Sequence, residues 1–142
     1  MKLQLVTLDG VKFDQDVYEV IAPTATGHIA VFDNHEPLVN VAVAGVLTVV
    51  HEAGDPEEKR DHFAIEGGII EINQHSVRIL VDDAAHSSEI IEGEAREALE
   101  RAYTFRDQSK DKLSLEHAQV LIDRESTRLK VAELRRHRHR QK

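Results

Sequence analysis

The sequence predicts an α+β fold in two units: an N-terminal β-rich part that closes as a sandwich or flattened barrel, then a C-terminal antiparallel two-helix hairpin. Three observations carry this. Short apolar segments of period two, or of near-continuous β-branched character, recur to about residue 85. Turn-forming residues separate them every few positions. After Ala84 the apolar period becomes 3.6.

The strands follow in order. Leu3 and Leu5 alternate with Lys2 and Gln4, and Asp9-Gly10 turns the chain. Val17, Glu19 and Ile21 alternate next, ending at a turn from Pro23 to Gly27. An alternating apolar stretch from Gly27 runs into Asp33 to Pro37, and the run from Val41 to Val50 is apolar almost throughout. Gly54-Asp55-Pro56 breaks it, after which Phe63 and Ile65 resume. Gly67-Gly68 lets two backbone runs meet where side chains would not fit. Ile69, Ile70 and Ile72, the turn Asn73 to Ser76, and Val77, Ile79 and Val81 read as a hairpin of set register. Roughly eight or more short strands at this spacing make a sandwich or flattened barrel.

In the helical part Ala95, Ala98, Leu99, Ala102 and Phe105 form one stripe, and Leu115, Ala118, Ile122, Leu129 and Ala132 form another. The polar stretch Asp107 to Asp111 between them is short, so the helices fold back on each other. Alanines on the first stripe allow close approach of the backbones. Neither helix has enough large apolar residues to be strongly stable alone, so detachment of the hairpin costs little. The expected division is 1–85 for the sandwich and 86–142 for the hairpin with its basic tail.

Composition bounds the function. With 142 residues and 41% hydrophobic content the chain can bury a real core, yet with aromatics at 4% and no Trp that core is aliphatic. Zero Cys excludes disulfides, thiolate metal sites and Cys nucleophiles. No apolar run approaches the ~20 residues that span a bilayer, and the N-terminus has neither a signal-type apolar segment nor an Arg/Ser-rich transit pattern. Any membrane association is therefore expected to go through a partner, with no direct insertion. The net charge of −8 is uneven: residues 123–142 hold eight Lys or Arg against three acids, which leaves −13 on the rest. The basic end calls for an acidic partner.

A search for catalytic chemistry returns nothing. The chain has no phosphate-binding Gly-x4-Gly-Lys loop, no Gly-x-Gly-x-x-Gly, no Gly-x-Ser-x-Gly and no His-Glu-x-x-His, and His35-Glu36 is followed by Pro37, which breaks the helix a zinc site needs. His28, His35, His51, His62, His75, His86 and His117 are scattered one per segment, and the tail pair His137 and His139 sits among arginines that oppose a cation. No catalytic residue and no metal ligand is expected. A small hydrolase is thereby disfavoured. A free-standing β-sandwich binding module with a basic nucleic-acid-binding tail is the alternative, opposed by the acidic body and the lack of interleaved aromatics.

Two blocks carry a family resemblance. Gly27 to Val49 holds a Gly, an alternating strand, a turn ending in His35-Glu36-Pro37, a second apolar run and Gly45 opening another strand. Phe63 to Ala84 holds a strand, Gly67-Gly68, a strand ending Glu71-Ile72, a four-residue turn, a strand and Asp82-Asp83-Ala84. Together with the helical hairpin, this resembles the epsilon subunit of F-type ATP synthases over almost the whole chain. The resemblance implies a ten-stranded β-sandwich on the central stalk that binds the gamma subunit and the c-ring, and a hairpin that regulates the catalytic head. It implies a non-catalytic role at the cytoplasmic face of a bacterial plasma membrane.

The family's c-ring loop maps to Gly27, His28, Asp33, Asn34, His35 and Pro37. Many relatives carry Glu where His28 stands, so this contact is expected to be neutral or cationic; His35 either touches the partner or ties down its own turn. Arg124, Arg128 and Arg135 fall within roughly 40° of one another on a helix and form one basic edge. By the resemblance, that edge faces an acidic segment of the catalytic beta subunit and suppresses ATP hydrolysis. Some relatives bind ATP on the folded hairpin. Arg124 and Arg128 fit the second half of that motif, but Ile91 to Arg96 has Glu92 for Asp and its Arg96 one place late, about 100° around the helix. A regulatory ATP at Glu92, Arg96, Arg124 and Arg128 is thus a weak expectation, and no other cofactor is implied.

Overall fold

Ten short strands hydrogen-bond into one sheet whose inward side chains converge on a single aliphatic core. The structure is a computed structural model that describes residues 1–140, with side chains through Arg136. The side chains of the terminal basic run, including the His137 and His139 pair, lie outside the described residues.

The strands are β1 (Lys2–Thr7), β2 (Gly10–Asp16), β3 (Glu19–Thr24), β4 (Gly27–Phe32), β5 (Leu38–Ala42), β6 (Gly45–Val50), β7 (Asp61–Ile65), β8 (Gly68–Ile72), β9 (Ser76–Val81) and β10 (Ala84–His86). Their order is β10-β7-β6-β3-β5-β8-β9-β1-β2, with β4 on β3. Every pairing is antiparallel except β1 with β9. Along one edge β3 takes β4 over its full length, and its other edge is shared between β6 and β5. Leu3, Leu5, Val20, Val31, Leu47, Ile70 and Ile79 are wholly buried between the layers. The sandwich with its two C-terminal helices is the predicted architecture.

Details depart from the pattern for identifiable reasons. Strand β2 was not visible in the sequence because Phe13 is its single inward side chain. The core face of β3 is Val20 and Ala22 rather than Glu19 and Ile21; Val17 is buried in the same core but precedes the strand, and the bend at Tyr18 shifts the alternation by one. The run from Val41 to Val50 is two strands, broken at Val43-Ala44. Strand β10 carries the sheet to His86, one residue past the expected domain edge.

Helix α1 (Glu92–Gln108) and α2 (Lys112–Arg140) pack antiparallel through Ala95, Ala102, Ala118 and Ile122. Asp111 caps α2, its carboxylate accepting the Ser114 amide at 2.7 Å. Phe105 and Leu115 are exposed at the hairpin tip, where no third element covers them. Further along, α2 meets the sheet as well as α1, so its buried face widens. Val131, outside the predicted stripe, becomes the most buried side chain of that turn, above Leu129.

The Gly-Gly step has the predicted cause. A Cβ on Gly68 would stand 2.0 Å from the Leu80 carbonyl oxygen on β9. Gly68→Ala is expected to destabilise the chain by about 1–3 kcal/mol, as overpacking does, while Gly93→Ala, where a Cβ meets nothing within 4 Å, is neutral or slightly stabilising. Urea unfolding of the two variants checks this; equal midpoints would refute the packing account.

Candidate functional site

The hairpin lies down on the sheet, and the basic edge predicted from its sequence faces that seam. Two loops present carboxylates there. The Glu66 amide donates to the Asp83 carbonyl at 3.1 Å, which sets the loops after β7 and β9 side by side and exposes both acids to α2. Arg124 reaches Glu66 at 3.5 Å through Nε and Asp83 at 3.6 Å through Nη2; Arg128 stands 3.9 Å from Asp83. Glu125 lies between the two arginines, 3.7 Å and 3.9 Å away. One turn short of the described end, Arg135 Nη1 donates to the Ser87 carbonyl at 3.3 Å. All three predicted arginines therefore meet acceptors inside the chain.

Beneath the charges, Val131 and Ala132 pack on Ala64, Ala85, Ile90 and Ala95. Small side chains bury little area each. The ion pairs are long and half-exposed, each in the class that contributes about 0.2–1 kcal/mol. Arg124 Nε is buried without a well-aligned acceptor, which costs part of what its pairs contribute. This seam holds the hairpin without fixing it.

A cavity of about 220 Å³ lies between α1 and α2, lined by Ile91, Glu94, Ala98, Arg101, Arg124 and Arg128 among others. Glu92 and Arg96 do not line it. They pair with each other at 3.0 Å, and Glu92 also holds Arg136 at 2.9 Å on another side of the helix pair. The four ATP candidates are thus split. The cavity is smaller than the ~300–1,000 Å³ usual for small-molecule sites. Its three arginines are matched by Glu89, Glu94 and Glu125, so the lining offers polyphosphate no net positive charge.

The loop candidates also separate into two groups. Asp33, Asn34, His35 and Pro37 follow β4, whereas Gly27 and His28 open it, roughly 16 Å away at strand rise. His28 instead borders a groove of about 340 Å³ against Lys130 of α2. Asn34 takes φ 65°, a left-handed value Asn tolerates, and its amide donates to Gln74 at 2.7 Å. His75 joins Asp33 at 2.9 Å, and this hydrogen bond holds the Asp33 carboxyl below the usual range. His35 Nδ1 donates to the Glu36 carbonyl at 2.7 Å, which ties the ring to its own turn. The turn after β8, Asn73 to His75, is therefore part of this end of the sandwich. Sequence gave no sign of that, because Asp33 and His75 are 42 residues apart.

On the sheet's outer surface Val39 is 71% and Val41 59% exposed, and Val41 sits opposite Ile69 in the β5–β8 register. Together they form an exposed β-branched patch on a solvent-facing part of the sheet.

The fold class is a β-sandwich followed by an antiparallel helical hairpin that packs on it. Comparison with known proteins agrees. The family model described as ATP synthase, Delta/Epsilon chain, beta-sandwich domain matches residues 1–87. The chain is 33% identical over 139 residues to the ATP synthase epsilon chain of Herpetosiphon aurantiacus, covering 97% of this chain and 98% of that one. It is 32% identical over 132 residues to that of Moorella thermoacetica, covering 93% and 96%. Among solved structures, a chain of the Euglena gracilis mitochondrial ATP synthase (OSCP/F1/c-ring) superposes with a TM-score of 0.76 at 26% identity, covering 88% of this chain and 76% of that chain. The chain belongs to the ATP synthase delta/epsilon family, and as an epsilon-type chain it is a non-catalytic subunit.

Titration of the full chain with Mg-ATP is expected to give no saturable heat up to millimolar concentration. A saturable isotherm lost in Arg128→Gln would overturn that reading of the cavity.

Proposed function

We propose that this chain is a central-stalk rotor subunit of an ion-translocating F-type ATP synthase, peripheral to the membrane at its cytoplasmic face. Its sandwich binds the gamma subunit and the c-ring, and its hairpin restrains ATP hydrolysis by the catalytic head. The observation that carries the regulatory part is the placement of Arg124, Arg128 and Arg135 on internal acceptors through pairs weak enough to exchange. A basic edge held by Glu66 and Asp83 is sheathed; released, it is available to carboxylates of the beta subunit.

The Val39, Val41 and Ile69 patch fits the gamma subunit, since an apolar patch kept in water is costly unless covered. The loop end with Asp33, Asn34, His35 and Pro37, braced by His75, fits the polar loops of a c-ring. Gly27 and His28, at the other end of β4, fit its flank. The separate core of the sandwich supports a division of labour between residues 1–85 and 86–142. Because β10 runs through His86, the shortest chain expected to keep gamma binding and coupled synthesis ends at Ser87.

Two sets of substitutions both break the docking pairs but are expected to move hydrolysis in opposite directions. Glu66→Gln with Asp83→Asn unsheathes the arginines and leaves them intact. Losing pairs of about 0.5 kcal/mol each shifts the docked-to-free ratio several-fold, and hydrolysis by the whole complex should fall. Replacing Arg124, Arg128 and Arg135 by Gln removes the edge itself, and hydrolysis should rise at unchanged subunit content. Steady-state ATPase assays on the purified complex decide the matter. Equal rates in wild type and both variants would show that the hairpin is not the brake.

A further inference from the structure

The apolar patch on β5 and β8 does not stop at those strands. The layer of the sandwich away from the hairpin runs β5-β8-β9-β1-β2. In its registers Val41 stands opposite Ile69, Ile69 opposite Leu80, Leu80 opposite Val6, and Val6 opposite Val11. Side chains alternate between the faces of a strand, and the chain neighbours Ile70, Ile79, Val81 and Leu5 are buried on the inner face. All five residues therefore point outward. They form one rung of aliphatic side chains across the full width of the layer, about 19 Å at the usual strand spacing. Val11 is 56% exposed at one end, beside Leu8 at 84% in the β1–β2 turn. Helix α2 packs on β6 and β7, in the opposite layer, and leaves this rung uncovered among the described residues.

The flanks of the rung carry charge in a particular order. On β9, the middle strand of the five, Arg78 lies two residues before Leu80 and Asp82 two residues after it. Both are exposed. A step of two residues returns to the same face, so the arginine stands on one side of the rung and the aspartate on the other, each about 7 Å from its line. Along extended chain the two are about 13 Å apart, too far to pair with each other. Neither is in an ion pair among the described residues.

An aliphatic rung with opposite charges at equal distances on its two sides is complementary to itself. A second copy, turned over about a two-fold axis that runs along the rung, lays Leu80 on Leu80 and carries its Asp82 over Arg78 and its Arg78 over Asp82. The strands of the two copies then run antiparallel, within the roughly 30° that packed sheets adopt. A two-fold axis along the strands would set Arg78 on Arg78, so charge selects the first arrangement.

We propose that this face of the free chain pairs with a second copy of itself through the rung, with Arg78 and Asp82 as reciprocal ion pairs. The pairing covers the patch assigned above to gamma, so it belongs to the chain before assembly and excludes gamma while it lasts. That exclusion rests on the gamma reading; the self-pairing does not. One rung with its two flanks is smaller than the ~800 Å² per partner of a standard interface, so the dimer is weak, with a Kd on the order of 10–100 µM.

Sedimentation equilibrium of the full chain, from about 1 µM to about 1 mM, is expected to show monomer and dimer in exchange. Arg78→Glu sets like charges over each other twice per dimer and should weaken association roughly ten-fold or more. The double variant Arg78→Glu with Asp82→Arg reverses both pairs and should restore the wild-type constant. Where Arg78→Glu fails to fold, Asp82→Arg makes the same like-charge contact from the other side and takes its place. A wild-type chain that stays monomeric over this range would overturn the proposal, as would a single variant that dimerises as tightly as wild type or a double variant that does not recover. Binding to gamma, measured separately, keeps the two readings apart. A chain that binds gamma but never dimerises loses the self-pairing alone, and one that dimerises as described yet binds gamma without dissociating loses the exclusion alone.

Discussion

The contact of Val131 and Ala132 with Ala64 and Ala85 is the constraint on which the hairpin's behaviour depends. Alanines on both sides allow close approach, so the helix sits flat on β6 and β7 and brings its arginines within reach of Glu66 and Asp83. The same small side chains limit the apolar area removed from water, and with it the stability of the docked state. Larger residues here would deepen the seam and hold the hairpin in place. The regulatory role proposed above needs a seam of intermediate strength.

Charge completes this balance. The acidic body and basic end suggest a chain seeking an anionic partner elsewhere, yet the arginines first satisfy themselves at home. On the proposed role, internal and external carboxylates compete for the same guanidinium groups, so the hairpin's position would reflect a difference between two similar energies rather than the strength of either. Screening by salt weakens both sides, and partly cancels.

Strand existence, the Gly67-Gly68 crossing and the helical hairpin were legible because each is written locally: in alternation, in missing side chains, or in a 3.6-residue period. Strand β2 was not, since one Phe13 among polar residues makes no pattern. The buried turn at Val131 escaped because a third element, the sheet, changes which face of α2 is covered. Glu66 and Asp83 stood beside motif residues that mark the fold, and nothing local announced them as partners of arginines some forty to sixty positions later in the chain. Val41, Ile69, Leu80, Val6 and Val11 likewise line up only because β5, β8, β9, β1 and β2 are neighbours in the sheet. Sites assembled by topology leave no spacing for a sequence reader to find.

The parallel pairing of β1 with β9 also orders events in time. Lys2 to Val6 align with Ser76 to Leu80, so the first strand made must wait for one of the last before its second edge is covered. Until then the chain can form local hairpins but cannot close its core, and the delay is that of a long loop closure. On a ribosome the sandwich therefore closes only after β9 has emerged, and the helices, arriving later still, dock onto a sheet already built.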